Sequence, residues 1–314
     1  MKIVFLDPKT VGKDISLDIF KELGEFISYE TTTNKQTADR VKDAEIIITN
    51  KVVIDKSVID KADRLKLICV AATGTNNIDL EYASKKGIKV KNVKDYSTPS
   101  VAQHTFTMLF YLIGKSCYYD RYVKDKKWSD SDIFTNLDRP FFEIKGKKWG
   151  IIGLGNIGKE VARLATQFGC EVSYFSTSGQ NRVKEYKQEG LTELLESSDI
   201  ISIHAPLNES TKNLITKKEL SILKEGAILL NLGRGGIINE RDLAKSLDTK
   251  EIYAGLDVTE KEPLDKDSPL LDLKYPQRIF ITPHIAWASK QSRERLISKI
   301  YQNIKEELQD GKRA

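Results

Sequence analysis

The chain has 314 residues, 40% hydrophobic and 30% charged, with 50 basic against 45 acidic side chains for a net charge of +5. That length accommodates about two domains with a sizeable core. The charges are spread along the chain with no basic block interleaved with aromatics, which points away from nucleic acid, and Cys69, Cys117 and Cys170 fit neither a disulfide framework nor a zinc pattern.

The N-terminus, MKIVFLD, reads directly as a strand with no signal peptide ahead of it. The most apolar long stretch, residues 105–113, is too short to span a bilayer, so no membrane partner is expected and a reducing cytoplasm is the expected setting. Strand patterns follow at residues 2–6, 26–29, 46–49, 65–72 and 89–93. They alternate with helical patterns through Leu17, Phe20 and Leu23, at 36–42 and at 80–86. Such alternation implies a parallel sheet covered on both faces. The fourth strand runs out at Thr73-Gly74-Thr75, and ligands of open α/β sheets lie beyond the carboxyl ends of strands. Gly74 permits close backbone approach, and Thr73, Thr75 and Asn76 offer donors for a carboxylate. By spacing alone, a glycine turn capped by polar residues is the better account. Residues 95–99 carry turn chemistry before a helix at 101–112 and mark a domain border. Residues 115–145 are aromatic and charged, beginning as a helix and ending as an irregular segment with Pro140. Exposed aromatics there suit contact with another subunit, with packing on the same chain as the alternative.

The stretch 147–176, KKWGIIGLGNIGKEVARLATQFGCEVSYFS, is the centre of the chain. An apolar strand at 149–152 breaks at Gly153, Gly155 and Gly158. A helix then carries Val161, Leu164, Ala165 and Phe168 on one face, and a second strand follows at 171–175. In this strand–turn–helix–strand context G-x-G-x-x-G marks a dinucleotide site. The first glycine makes the turn, the second admits the pyrophosphate and the third lets helix and strand pack, with free helix amides facing the phosphates. The acid expected on the ribose about 20 residues on is missing. Ser176, Thr177 and Ser178 stand there, followed by Arg182 and Lys184, with no Asp or Glu from 172 to 184. Hydroxyls and cations suit a 2′-phosphate and make NADP(H) plausible. A solvated turn that accepts both cofactors is the equal alternative.

Downstream, helices are expected at 191–195, 217–223 and 240–247 and strands at 200–204, 227–232, 252–258 and 279–282, enough for a doubly wound sheet. A long amphipathic helix at 289–308 is expected to return to the first domain. The three histidines differ in setting. His204 closes an apolar strand as a hydrogen-bonded structural ring would. His104 sits early in a helix and could serve at a domain interface. His284 follows Pro283 past a strand end, where a side chain projects into a cleft. Arg234, between glycines, and Glu262 occupy strand-end loops of the same kind. Together they offer a 2-oxo acid a fork for its carboxylate, an acid/base and a group to orient that acid/base.

At these residues the chain resembles the D-isomer-specific 2-hydroxyacid dehydrogenases over essentially its whole length. The motifs are ATGTNNID at 72–79, SVAQHT at 100–105, GLGNIG at 153–158, HAPLNEST at 204–211, NLGRGGIINE at 231–240, GLDVTEKEPL at 255–264 and TPHIAWAS at 282–289. The resemblance implies two α/β domains, a Rossmann-type doubly wound parallel sheet (99–286) inserted into a flavodoxin-like substrate domain (1–98 plus 287–314). It implies that Arg234, Glu262 and His284 are catalytic. Arg234 and the turn at Thr73, Gly74 and Thr75 would hold a 2-oxo acid while reduced nicotinamide gives hydride and His284 gives the proton. Glu262 would favour the protonated imidazole. Trp287 would line the pocket, with domain packing as the alternative.

The resemblance puts cofactor contacts on Gly153, Gly155, Asn156, Ile157 and Gly158. Further contacts are implied at Ser176, Thr177, Ser178 and Arg182, at Ala205, Pro206 and Thr211, and at Leu232, Gly233, Asp257 and His284, with Asp257 on the nicotinamide. The HIAWAS and ATGTNNID segments look like glycerate dehydrogenases, also called hydroxypyruvate reductases, acting on hydroxypyruvate or glyoxylate with NAD(P) as a homodimer. D-lactate dehydrogenase, 3-phosphoglycerate dehydrogenase and a cofactor-sensing corepressor are the competing implications. Ser176, Gln103 and the Leu232-Gly233 pair depart from the usual pattern.

Overall fold

The computed structural model describes residues 1–180 and 183–310. The chain divides into two compact units, Met1–Ser97 with the chain from Ala288 on, and Thr98–Trp287.

The first unit holds β1 (Lys2–Phe5), β2 (Glu25–Ser28), α1 (Asn34–Val41), β3 (Ile46–Thr49), α2 (Lys56–Ile59), β4 (Leu67–Val70), α3 (Leu80–Lys85) and β5 (Lys89–Asn92). Its five strands are all parallel in the order β2-β1-β3-β4-β5, the flavodoxin-like arrangement. β3 and β4 are buried along their whole length, which is why they read as unbroken apolar runs. Asp55 and Asp79 cap α2 and α3 by accepting the amides of Val58 and Tyr82. The helical pattern at Leu17, Phe20 and Leu23 is a 3-10 helix over Asp18–Leu23.

The second unit opens on α4 (Thr98–Ile113) and α5 (Ser116–Lys124). It continues through β6 (Lys148–Ile152), α6 (Asn156–Gln167), β7 (Glu171–Phe175), β8 (Lys187–Gln188), α7 (Leu191–Ser197), β9 (Ile200–Ile203), α8 (Lys217–Ser221), β10 (Ile228–Asn231), α9 (Glu240–Thr249), β11 (Tyr253–Leu256) and β12 (Ile279–Ile281). The seven strands are parallel in the order β12-β11-β10-β9-β6-β7-β8, a doubly wound sheet whose direction of winding reverses between β6 and β9. One core layer joins α4 and α6 to one face of this sheet and includes fully buried Trp149, whose Nε1 donates to Ser202 Oγ at 2.9 Å. The other packs α7, α8 and α9 on the opposite face.

The helix expected from 101 begins three residues earlier, at Thr98. Pro99 falls in its first turn, where the missing amide has no intrahelical acceptor to lose. Because all seven strands run parallel, the loops after β6, β9, β10, β11 and β12 emerge at one edge. The last helix, α10 (Lys290–Asp310), belongs to the first unit, where it packs on β4. Its Arg293 meets Asp14 at 2.5 Å and Ser292 Oγ donates to the Tyr96 carbonyl at 3.1 Å.

Candidate active site

The glycine loop after β6 has the shape its sequence implies. Gly153 has φ +90 and lies so close to the next loop that a β-carbon there would stand 2.9 Å from the Ala205 amide. A β-carbon on Gly158 would collide with the Gly153 carbonyl oxygen. One on Gly155 would meet nothing within 4 Å, so the backbone is open where a pyrophosphate would approach the first turn of α6. Gly155 places no side-chain cap over the amides of Asn156, Ile157 and Gly158.

Ser176 follows β7. It is buried, and its hydroxyl has no hydrogen-bond partner among the described residues. Such a group is suited to a polar ligand. Thr177 is half-buried and Ser178 exposed, with Ser178 Oγ accepting the Gln180 amide at 3.3 Å. Arg182 lies outside the described residues, and Lys184 is exposed. The open backbone at Gly155 and the orphaned Ser176 hydroxyl fit a dinucleotide.

After β9, His204 Nε2 lies 3.1 Å from Ser202 Oγ, while Nδ1 is buried with no partner among the described residues. Burial pushes its pKa down to about 3, so the ring is neutral. Ala205 sits between Gly153 and Gly233, and a β-carbon on Gly233 would reach 2.7 Å from the Ala205 carbonyl oxygen. Thr211 closes this loop, donating to the Pro206 carbonyl at 2.7 Å and accepting the Asn208 amide at 2.8 Å.

After β10, Asn231 Oδ1 accepts the Gly233 amide at 3.1 Å and its Nδ2 donates to the Arg234 carbonyl at 2.9 Å, which sets the turn past Leu232. Arg234 is exposed, and among the described residues its side chain donates only to the Gly233 carbonyl. Among the described residues it has no carboxylate partner. Gly235 admits the Thr259 backbone where any β-carbon would collide. The same two loops are bound again by a reciprocal pair. The Glu260 amide donates to Glu240 Oε1 at 2.5 Å, and the Glu240 amide donates to Glu260 Oε1 at 3.3 Å. Burial, reinforced by the charges of Glu260 and Glu262, raises the Glu240 pKa.

Glu262 is held at both oxygens. Oε1 accepts the Thr259 amide at 3.2 Å, and Oε2 accepts His284 Nδ1 at 2.7 Å. His284 has φ +53, with its amide donating to the Asp257 carbonyl at 2.9 Å. Asp257 is 2% exposed and its carboxylate accepts Ile285 N, Ala286 N and Thr282 Oγ1 at 2.8, 2.9 and 2.6 Å. Glu262, His284, Asp257 and Arg234 therefore stand on three loops at one edge of one sheet. Trp287 packs on the core of the same unit.

Thr73, Gly74 and Thr75 belong to the first unit, in the turn after β4. There the Thr73 hydroxyl donates to the Val93 carbonyl at 3.1 Å and the Thr75 carbonyl accepts the Ile78 amide at 3.0 Å. The Thr73 hydroxyl thus ties this turn to the end of β5, as a glycine turn capped by polar residues would. His104, which in sequence suits a domain interface, bonds Thr282 inside the second unit. The polar contacts around Asp257 and the Glu240–Glu260 pair carried no sequence signal, since each joins residues far apart in the chain.

A doubly wound sheet with a glycine cradle for a dinucleotide and a His–Glu pair at its edge defines a nicotinamide-dependent oxidoreductase. The model of the NAD-binding domain of D-isomer specific 2-hydroxyacid dehydrogenases matches residues 106–286. A putative 2-hydroxyacid dehydrogenase of Haemophilus influenzae is 41% identical over 314 residues, covering 98% of each chain. A hydroxypyruvate reductase of Blautia hydrogenotrophica is 35% identical, covering 98% of this chain and 97% of its own. Among solved structures, an acyclic imino acid reductase in complex with NADPH and D-Arg superposes with a TM-score of 0.86 at 31% identity, covering 99% of this chain and 98% of its own. The chain belongs to the D-isomer specific 2-hydroxyacid dehydrogenase family.

Proposed function

We propose that the protein reduces a small 2-oxo acid, hydroxypyruvate or glyoxylate, to the D-2-hydroxy acid, with His284 as proton donor. The observation that carries this reading is the 2.7 Å pairing of His284 Nδ1 with Glu262 Oε2, on the same sheet edge as Arg234, whose guanidinium has no carboxylate partner among the described residues. A carboxylate only accepts, so Nδ1 carries the hydrogen of that bond and Nε2 is the nitrogen left to serve the substrate. Arg234 binds the substrate carboxylate as a planar fork. Bound reduced nicotinamide supplies the hydride that forms the new C–H bond at the carbonyl carbon. The π-electron pair of the carbonyl moves to oxygen, and that oxygen takes the Nε2 proton of His284. The relative named hydroxypyruvate reductase supports the substrate choice. The assignment of Thr73, Gly74, Thr75 and Trp287 to the substrate rests on the family resemblance.

For the cofactor, Ser176 in place of an acid favours acceptance of NADP(H), and the superposed reductase that binds NADPH supports it. The proposed assembly is a homodimer through the segment 115–145, where Phe134 is 88% and Leu137 77% exposed. The reading places the protein in the cytoplasm, with Cys69, Cys117 and Cys170 all free thiols. Oxidation of NADPH and of NADH with hydroxypyruvate, glyoxylate and pyruvate in parallel tests the activity. Turnover of hydroxypyruvate or glyoxylate well above pyruvate supports the proposal, and no turnover with any pair overturns it. Light scattering that finds only a monomer overturns the dimer.

A further inference from the structure

His284 sits at the middle of residues 282–286 with a left-handed backbone, which is uncommon for any residue but glycine. Such a conformation persists where its surroundings over-determine it. Asp257 supplies one restraint, since its carbonyl and carboxylate together hold the backbone amides of His284, Ile285 and Ala286.

The second restraint comes from α4, where Ser100 and His104 lie one turn apart on one face. Ser100 Oγ donates to the Ala286 carbonyl at 2.6 Å, and His104 Nε2 lies 3.0 Å from Thr282 Oγ1. The direction of the second bond can be deduced. The single hydroxyl proton of Thr282 goes to Asp257 Oδ1 at 2.6 Å, so Thr282 can only accept from His104, and His104 is a donor through Nε2–H. Burial lowers the His104 pKa against the opposing pull of Asp257, 3.7 Å away, which favours the neutral ring with its hydrogen on Nε2. The two α4 side chains therefore grip the two ends of a five-residue segment with His284 at its centre.

We propose that Ser100 and His104 are positioning residues for His284. By fixing Thr282 and Ala286 they set the backbone rotation that aims the His284 ring at Glu262. The consequence for turnover rests on the reading of His284 as proton donor; the consequence for the ring itself does not.

The chain has only three histidines, so the His284 ring can be followed by NMR in the free protein. The experiment measures its titration midpoint, together with kcat and KM for hydroxypyruvate, in His104→Leu, His104→Gln and Ser100→Ala. Leucine at 104 is expected to move the midpoint by about half a pH unit or more. It should lower kcat roughly 10- to 100-fold with KM within about threefold, the signature of a misplaced group. Glutamine, whose amide can donate to Thr282, is expected to restore both, and Ser100→Ala to move both in the direction of His104→Leu. An unmoved midpoint and unchanged kcat in both His104→Leu and Ser100→Ala overturn the proposal. So do equal losses in His104→Leu and His104→Gln that only track melting temperature. A protein that turns over no 2-oxo acid, yet whose midpoint moves with leucine and returns with glutamine, refutes the proton-donor reading and upholds the positioning pair.

Discussion

Glu262 and His284 lie on separate loops, after β11 and β12, and meet with Oε2 2.7 Å from Nδ1 while the other Glu262 oxygen accepts the Thr259 amide at 3.2 Å. The carboxylate is thus anchored on one side and orients the imidazole on the other, which on the proposed reading keeps the proton donor aimed in one direction. His284→Ala is expected to lower kcat by about a thousandfold, within the usual range for loss of a general acid. Cofactor affinity, measured by quenching of protein fluorescence, should change little. Weak cofactor binding in that variant contradicts the role. Glu262→Gln should lower kcat roughly 10- to 100-fold with KM nearly unchanged, because the ring keeps a partner but loses the charge beside it.

Arg234 presents a guanidinium with no carboxylate partner, held at its base by Asn231. On the proposed reading it binds the substrate carboxylate by two parallel N–H groups. Arg234→Lys keeps the charge and loses the fork, so KM for the 2-oxo acid should rise about tenfold, and Arg234→Ala should raise it further. Equal KM values in wild type and Arg234→Ala would remove the residue from the substrate site.

Acid should destabilise this protein through two histidines whose pKa values burial lowers, His204 and His104. His204 has an ordinary value of 6.5 that burial pushes down to about 3, and burial lowers His104 in the same direction. A group whose folded pKa is depressed contributes its full stability above the unfolded value and loses it as pH falls toward the folded one. The window for His204 is therefore from about pH 6.5 down to about pH 3, because the unfolded chain takes up a proton that the folded chain refuses. Between pH 7 and pH 5 that linkage is worth about 2 kcal/mol. Urea unfolding at the two pH values should show the loss in wild type and a smaller loss in His204→Asn. Identical pH dependence in the two proteins would show that the ring is not held neutral.

What the sequence made legible was local. The strand, glycines, helix and returning strand of the dinucleotide unit fall within thirty consecutive residues, and of its three glycines Gly158 is required by a neighbour inside that stretch, the Gly153 carbonyl. His284 drew attention because Pro283 and small residues follow a strand end. The bonds that hold it did not, because Ser100 and Ala286 are 186 residues apart, and His104 and Thr282 are 178. No periodicity encodes such a meeting. β8 and α2 escaped for a different reason, since two and four residues are too few to show a period. At Thr73 the sequence could not show whether the hydroxyl is free or spent on the Val93 carbonyl.

The hydroxyl of Ser176 makes the cofactor question accessible through two substitutions with opposed expectations. In the free protein the group is buried without a partner, so Ser176→Ala removes an unsatisfied hydroxyl and should leave the melting temperature unchanged or slightly raised. If that hydroxyl serves the ribose or its 2′-phosphate, the same change should raise KM for NADPH several-fold, and stability and affinity will separate. Ser176→Asp installs the carboxylate that bonds a 2′-hydroxyl and repels a 2′-phosphate. It should raise KM for NADPH by about tenfold or more, the cost of one like-charge contact, while KM for NADH stays level or falls. Parallel changes for both cofactors in Ser176→Asp would mean that position 176 does not read the 2′-substituent, and the preference would then have to be sought elsewhere on the loop after β7.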